Sequence, residues 1–296
     1  MRSITYTNAT NNFSLTFGEE EFQPFILASV DGLYSVKNNV QMSDNTMTDG
    51  STYQGSIAVK RNIVLRIMDN PQSEDFVYDQ YNRDILYTLF RKGEFGTLIY
   101  TENGVSRKIE CQTESITRAL KGSRIFTISL LCPNPMFTDV DDKRVAMANW
   151  ISNFQFPHNF VEEGEEIDYK SDVRSVNIVN DIAADNTGLT IEIVASGTVS
   201  NITISHIELD EHISVGSTGK SFTMVLGDKL IITTGLNNKH VRLVHNGVTS
   251  EMNQYVTEDS EFIQLIYGNN NITYSATTGE EYMSVNISYN FQYEGA

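Results

Sequence analysis

A chain of 296 residues is long enough for about two domains, and a 40% hydrophobic share supplies a core for each. No run of about eighteen apolar residues occurs, so no transmembrane helix is expected. The net charge of −17 is uneven: residues 1–138 carry 13 Lys and Arg against 15 Asp and Glu, residues 139–296 carry 8 against 23, and the second half therefore repels phosphate backbones.

The N-terminal "MRSITYTNATNNFSLTFG" lacks an apolar stretch and a small-residue cleavage site, so no signal peptide is expected. From there to residue 132 short runs alternate apolar and polar residues: "SLTFG", "ILASVDGLY", "GSIAVKRNIVLRIM", "GTLIYTENG", "SRKIECQTESI" and "SRIFTISLLC". Their Ile, Val, Thr, Phe and Tyr suit a pleated surface. Turn residues separate them, and Asn103-Gly104 suits a type I′ hairpin. One segment departs from the pattern. Residues 73–96 place Phe76, Tyr81, Ile85, Leu86 and Leu89 on one helical face, with Ser73, Glu74 and Asp75 at the start, Arg91 and Lys92 in the last turn and Gly93 as the C-cap.

The β pattern stops at "LLCPNPMFTD", residues 130–139. Pro133 and Pro135 cannot donate to a sheet ladder, and each pushes its predecessor toward extended geometry. The pair ends one β domain and sends a stiff chain toward the next. Residues 139–172 read as a connector containing Trp150, whose expected task is packing, and the acidic loop "VEEGEEIDY". After Val173 alternation returns in "SVNIVN", "LTIEIVASG", "SNITISHIEL", "SFTMVL", "KLIITTG", "HVRLVHNG", "FIQLIYGNNNITYSA" and "MSVNISYNFQYEG". Eight short strands with Gly and Asn turns read as a sandwich or jelly roll. The fold class is thus mainly β: an N-terminal β-sandwich with one crossing helix (1–138), a connector (139–172) and a jelly roll (173–296).

The chemistry expected of these residues is sparse. His158, His206, His212, His240 and His245 show no metal-ligand spacing and are expected to be solvated or packed. Cys111 and Cys132 lie within strand-like runs and are expected as buried thiols of a reducing compartment; a disulfide stays open, and neither has a histidine nearby to make it a nucleophile. "VEEGEEIDY" lacks the residue order of a Ca²⁺ loop. No phosphate-cradling glycine motif or serine-hydrolase elbow occurs. Tyr267, Tyr274, Tyr282, Tyr289 and Tyr293 are expected mostly in the core or at edges. No catalytic, cofactor or metal residue is assigned, and the partner interface cannot be placed on particular residues.

Several stretches together resemble one family. Asp31-Gly32-Leu33, "TDGSTYQG" (48–55), "RNIVLRI" (61–67), a helix, "CPNPMF" (132–137), "LGDKLIITTGLNNKHVRLVHNGV" (226–248), "EDSEFIQLIYGNNNITYSA" (258–276) and the closing "YNFQYEGA" follow in the order seen in phage distal tail proteins, the baseplate hub components of long-tailed phages. The resemblance runs from about Phe25 to Gly295. It implies a structural, non-enzymatic protein of the virion tail, assembled in the host cytoplasm and needing no cofactor. It implies a homo-hexameric ring made by the N-terminal β-sandwich and a galectin-like jelly roll projecting outward. The implied partners are the tail tube protein, the tail-associated hub or lysin protein and a receptor-binding protein, with no membrane and no specific nucleic acid. No long insertion marks an added carbohydrate-binding module. The alternative reading is a carbohydrate-binding module for attachment to the host wall.

Overall fold

The computed structural model describes residues 2–18, 25–69, 76–118, 124–147, 150–152, 168–170, 174–182 and 186–296, with backbone alone at 76–79, 150–152 and 168–170. The chain divides into two compact units. One holds Met1–Val140 together with Gln292–Ala296, the other Asp141–Phe291.

The first unit contains β1 (Arg2–Asn8), β2 (Ser14–Gly18), β3 (Phe25–Asp31), β4 (Asn38–Asp44), β5 (Ser51–Ala58), β6 (Arg61–Asp69), α1 (Phe76–Leu89), β7 (Phe95–Glu102), β8 (Val105–Arg118), β9 (Ile125–Cys132) and β10 (Phe137–Asp139). Its main sheet runs β10-β8-β7-β1-β2-β3-β6-β9, and β9 pairs back onto β8. β8 makes both pairings because it is long and bulged between Thr113 and Ser115. Its first half pairs with β7 and its second with β9, so the bulge turns the strand from one layer of the sandwich into the other. The alternation seen in sequence sets the inner face: Ile4 and Tyr6 on β1, Ile63, Leu65 and Ile67 on β6, Leu98 and Tyr100 on β7, and Phe126, Ile128 and Leu130 on β9 are buried. The Asn103-Gly104 turn has φ of +52° and +83°, the positive pair that a type I′ hairpin requires.

α1 packs on this core through Leu86 and Leu89, as its periodicity indicates. The Phe90 ring just beyond it lies 4.3 Å from Tyr6 and 6.2 Å from Phe17. Three expectations about this segment are corrected. Tyr81 points outward and is 63% exposed. The helix stops at Leu89, so Arg91 and Lys92 follow it instead of forming its last turn, and Gly93 sits in a separate turn at φ +82°. The stop has a physical cause: the Asn8 amide donates to Leu89 O at 3.1 Å and to Glu94 at 2.9 Å, occupying a helix-end carbonyl. Ser73, Glu74 and Asp75 lie outside the described residues.

The second unit contains β11 (Lys143–Ala146), β12 (Trp150–Ser152), β13 (Asp168–Lys170), β14 (Ser175–Asn180), β15 (Thr187–Ala195), β16 (Val199–His206), β17 (Glu211–Val215), β18 (Thr223–Met224), β19 (Lys229–Gly235), β20 (Asn238–His245), β21 (Val248–Glu251), β22 (Gln264–Leu265), β23 (Gly268–Thr278) and β24 (Met283–Tyr289). One layer is β11-β24-β15-β19-β20-β21, with β22 against β15. The other is β14-β23-β16-β17, with β18 against β16. Ile191, Ile193, Leu230, Ile232, Val285 and Ile287 from the first layer and Ile202, Ile204, Ile213, Val215 and Ile272 from the second form the buried jelly-roll interior. β12 and β13 pair with each other, while β11, within the stretch read as a connector, joins the edge of the larger layer at β24.

The last strand, β25 (Gln292–Tyr293), belongs to the first unit, where the sequence reading carried the jelly roll to residue 296. Tyr293 pairs with Phe137 and Gln292 with Thr138. Arg61 holds this return. Its guanidinium donates to Pro135 O at 2.7 Å, to Gly32 O at 2.7 Å and to Glu294 O, and lies 4.8 Å from the centre of the Phe137 ring. Arg107 stacks 3.9 Å from the centre of the Tyr293 ring and donates to Gly295 O. Gly32 is required here: it has φ of +90°, and a Cβ would come within 2.2 Å of Asn62 O.

Candidate functional site

The surface that the fold leaves unexplained is the β4–β5 hairpin. It is a two-stranded sheet of its own, and nearly every residue on both of its faces is exposed. Met42 stands opposite Tyr53. The pairing shifts between Gln41 and Met42, beside Gly55 at φ +149°, a conformation open to glycine and consistent with a bulge that twists the arm. Val40 is 46% exposed, Met42 62%, Met47 96%, Tyr53 60% and Ile57 65%. A two-stranded hairpin is marginal alone in water.

The residues weighed as chemical candidates fall apart into separate structural roles. His206 is fully buried; its Nε2 bonds Asn270 Oδ1 at 2.9 Å, and Leu209 N donates to its Nδ1 at 3.3 Å. The Asn270 amide also donates to the carbonyls of Ile178, Ile266 and Gly268, each at 3.0 Å. This network pins the turn between β22 and β23, and nothing in a local hydrophobic pattern signals it. His212 lies 3.3 Å from Asp259, His240 3.5 Å from Glu251 and His245 2.6 Å from Asp228. These pairs are separate, and among the described residues no three His, Cys, Asp or Glu come together as a metal site. His158 and most of "VEEGEEIDY" lie outside the described residues, and Trp150 is described by its backbone alone.

Cys111 and Cys132 are free and buried on neighbouring strands, next to the Gln112–Leu131 pair. A hydrogen bond with Cys132, together with burial, pushes the Cys111 thiol well up, which disfavours the nucleophilic thiolate. Of the tyrosines, Tyr274 and Tyr293 are buried, whereas Tyr267 and Tyr282 are exposed.

At the edge of the larger jelly-roll layer, Arg242 Nε donates to Glu251 at 2.6 Å and holds its carboxyl below the usual range. A depressed folded pKa contributes stability above the ordinary carboxylate value of about 4.3, and that contribution is lost as the pH falls through the depressed value. In an Arg242→Gln variant the Glu251 carboxyl should titrate closer to that ordinary value, as read by carbon NMR. An unmoved titration would show that the bond does not form in solution.

Residues 183–293 match the family described as siphovirus-type tail component, C-terminal domain. That stretch, most of the second unit, therefore resembles the C-terminal domain of siphovirus-type tail components. Chains of phage tail and baseplate proteins of known structure share its fold along nearly the whole chain. The crystal structure of the SPP1 Dit protein (gp 19.1), described as a paradigm of the hub adsorption apparatus in phages infecting Gram-positive bacteria, superposes with a TM-score of 0.67 at 12% identity, over 98% of this chain and 99% of that one. Chains of the phage p2 baseplate in its activated conformation, solved with Sr and with Ca, superpose with a TM-score of 0.50 at 8% identity, over 100% of both chains. No curated protein sequence matches.

Proposed function

We propose that this chain is a phage distal tail protein, the structural hub of the tail tip, and a component of the virion tail. Its copies close into a hexameric ring through the first unit, and the ring joins the tail tube to the tail-associated hub protein and to host-adsorption proteins. The second unit stands outside the ring. In this reading the chain is a scaffold, with no catalytic step and no cofactor. The observation that carries the ring is the β4–β5 arm, whose apolar side chains are left exposed among the described residues of their own unit. Charge supports the same arrangement. Residues 1–138 are nearly neutral and can crowd against copies of themselves, whereas residues 139–296 hold 23 acidic against 8 basic residues. Keeping the acidic halves further apart than the screening length of about 8 Å relieves their repulsion.

Electron micrographs of the purified full chain should show rings with a central hole, and native mass spectrometry should give about six chains of 33.3 kDa. Only monomers across a series of concentrations and salts would overturn the ring. A Met42→Glu/Tyr53→Glu double variant should keep its melting temperature, because both residues are exposed, with a stability change within about 0.5 kcal/mol. It should no longer form rings. Rings that persist in this variant would move the contact away from the arm. The full chain is the right material, since a fragment ending at residue 138 would lack Gln292–Ala296 and with them the acceptor at Glu294.

A further inference from the structure

The second unit contains a cleft of about 660 Å³ on the layer formed by β14, β23, β16 and β17. Its floor is Asn201 and Thr203 from β16, Ser214 from β17 and Thr277 from β23. One wall is the segment around Gln254 and Tyr255, with the turn that carries Lys220 lying against it. The size falls within the range of small-molecule sites, roughly 300–1,000 Å³. We propose that this cleft binds an uncharged, hydroxyl-rich ligand: a saccharide unit.

The lining provides both donors and acceptors. Asn201 Oδ1 is used by Phe222 N at 3.1 Å, which leaves its amide nitrogen free to donate. Among the described residues, the Gln254 side-chain oxygen, the Thr277 hydroxyl and the Tyr255 phenol have no partner within the chain. Sugar hydroxyls, each a donor and an acceptor, match such a mixed set, and Tyr255 adds an aromatic body with a polar tip.

The wall segments brace one another. The Tyr255 ring lies 5.5 Å from Phe222 and 5.2 Å beneath the Lys220 ammonium, which donates to Gln254 O at 2.7 Å. A site formed in advance keeps the ordering cost of binding small.

Other ligand classes fit less well. A peptide added as a strand needs a free strand edge, and β17 has none along the cleft. Thr257 N donates to Ser214 O at 3.1 Å, Gly216 N to Tyr255 O at 2.8 Å and Glu261 N to His212 O at 2.7 Å. An anion would meet Glu258 and Asp259 at the rim against the single, already engaged Lys220. The proposal does not depend on ring formation.

Saturation-transfer NMR on the full chain, with N-acetylglucosamine, galactose and glucose as probes and glycerol as control, tests it. At least one sugar should give a saturable signal that glycerol does not. A Gln254→Ala/Thr277→Val variant with an unchanged melting temperature should weaken that binding about tenfold. Tyr255→Phe, which keeps the ring against Phe222, should weaken it too and serves if the double variant does not fold. The absence of a saturable signal from all three sugars up to about 50 mM, or binding indifferent to these substitutions, would overturn the proposal.

Discussion

Replacing Arg61 with alanine should destabilise the first unit by about 3–5 kcal/mol, the scale of breaking a buried charged network. The residue is only 5% exposed, and its guanidinium serves the carbonyls of Gly32, Pro135 and Glu294. These acceptors come from three distant parts of the chain, and alanine leaves each to find another donor in a confined space. Burial draws the Arg61 pKa down, but a guanidinium starts so high that it stays charged at neutral pH. Arg61→Lys should recover only part of the loss, because a compact ammonium lacks the planar fork that reaches separate acceptors. Amide hydrogen exchange along β6 and β9 is the suitable readout. The only tryptophan, Trp150, falls in the other unit and would report on that one. Unchanged exchange in Arg61→Ala would mean that the fork fastens nothing.

Leu89→Ala should cost about 2–5 kcal/mol, the transfer term plus the cavity left behind. Leu89 is fully buried, at the point where Asn8 anchors the helix end and Phe90 turns into the core. Tyr81→Ala on the exposed face should change stability by no more than about 0.5 kcal/mol. Calorimetric melting of the two variants side by side checks the orientation of α1. Equal losses at the two positions would show that the helix is rotated from the face described.

The strands that alternate cleanly were legible in the sequence, because burial on one face imposes a period of two. "KLIITTG" became β19 with Leu230, Ile232 and Thr234 inside. The β4–β5 arm was legible only in part: the run "GSIAVKRNIVLRIM" took the end of β5 together with β6, and β4 was not read as a strand. Its two faces are both wet, so no alternation separates them. β1 does alternate, with Ile4 and Tyr6 buried, but its polar Ser, Thr and Asn positions dilute the signal. β25 is two residues long and pairs with a strand far away in the chain; no local pattern encodes such a partner. Leu86 and Leu89 were placed correctly from periodicity, while Tyr81 fitted the same spacing and faces water. An aromatic ring at a helix margin satisfies either side, and only the packed neighbours decide. For the cleft, the floor residues come from β16 and β17, which form a local hairpin, and from β23, which pairs with β16 from far along the chain. Their convergence is a property of register, which composition does not report.

β10 leaves the first unit and β25 re-enters it as its hydrogen-bonded antiparallel neighbour, with Thr138 opposite Gln292. The stretch from Asp141 to Phe291 is therefore a cassette inserted into another domain, and its two ends emerge side by side, about 5 Å apart. A cassette moored at both ends behaves differently from a pendant tail. After one proteolytic nick in its loops, the piece before the cut stays covalently joined to Met1–Val140, while the piece after it stays attached through β25, which is held by its pairing with β10 and by the Arg61 and Arg107 contacts. The same geometry frees evolution to lengthen, exchange or remove the cassette, because its neighbouring ends ask the host domain for no rearrangement beyond a hairpin.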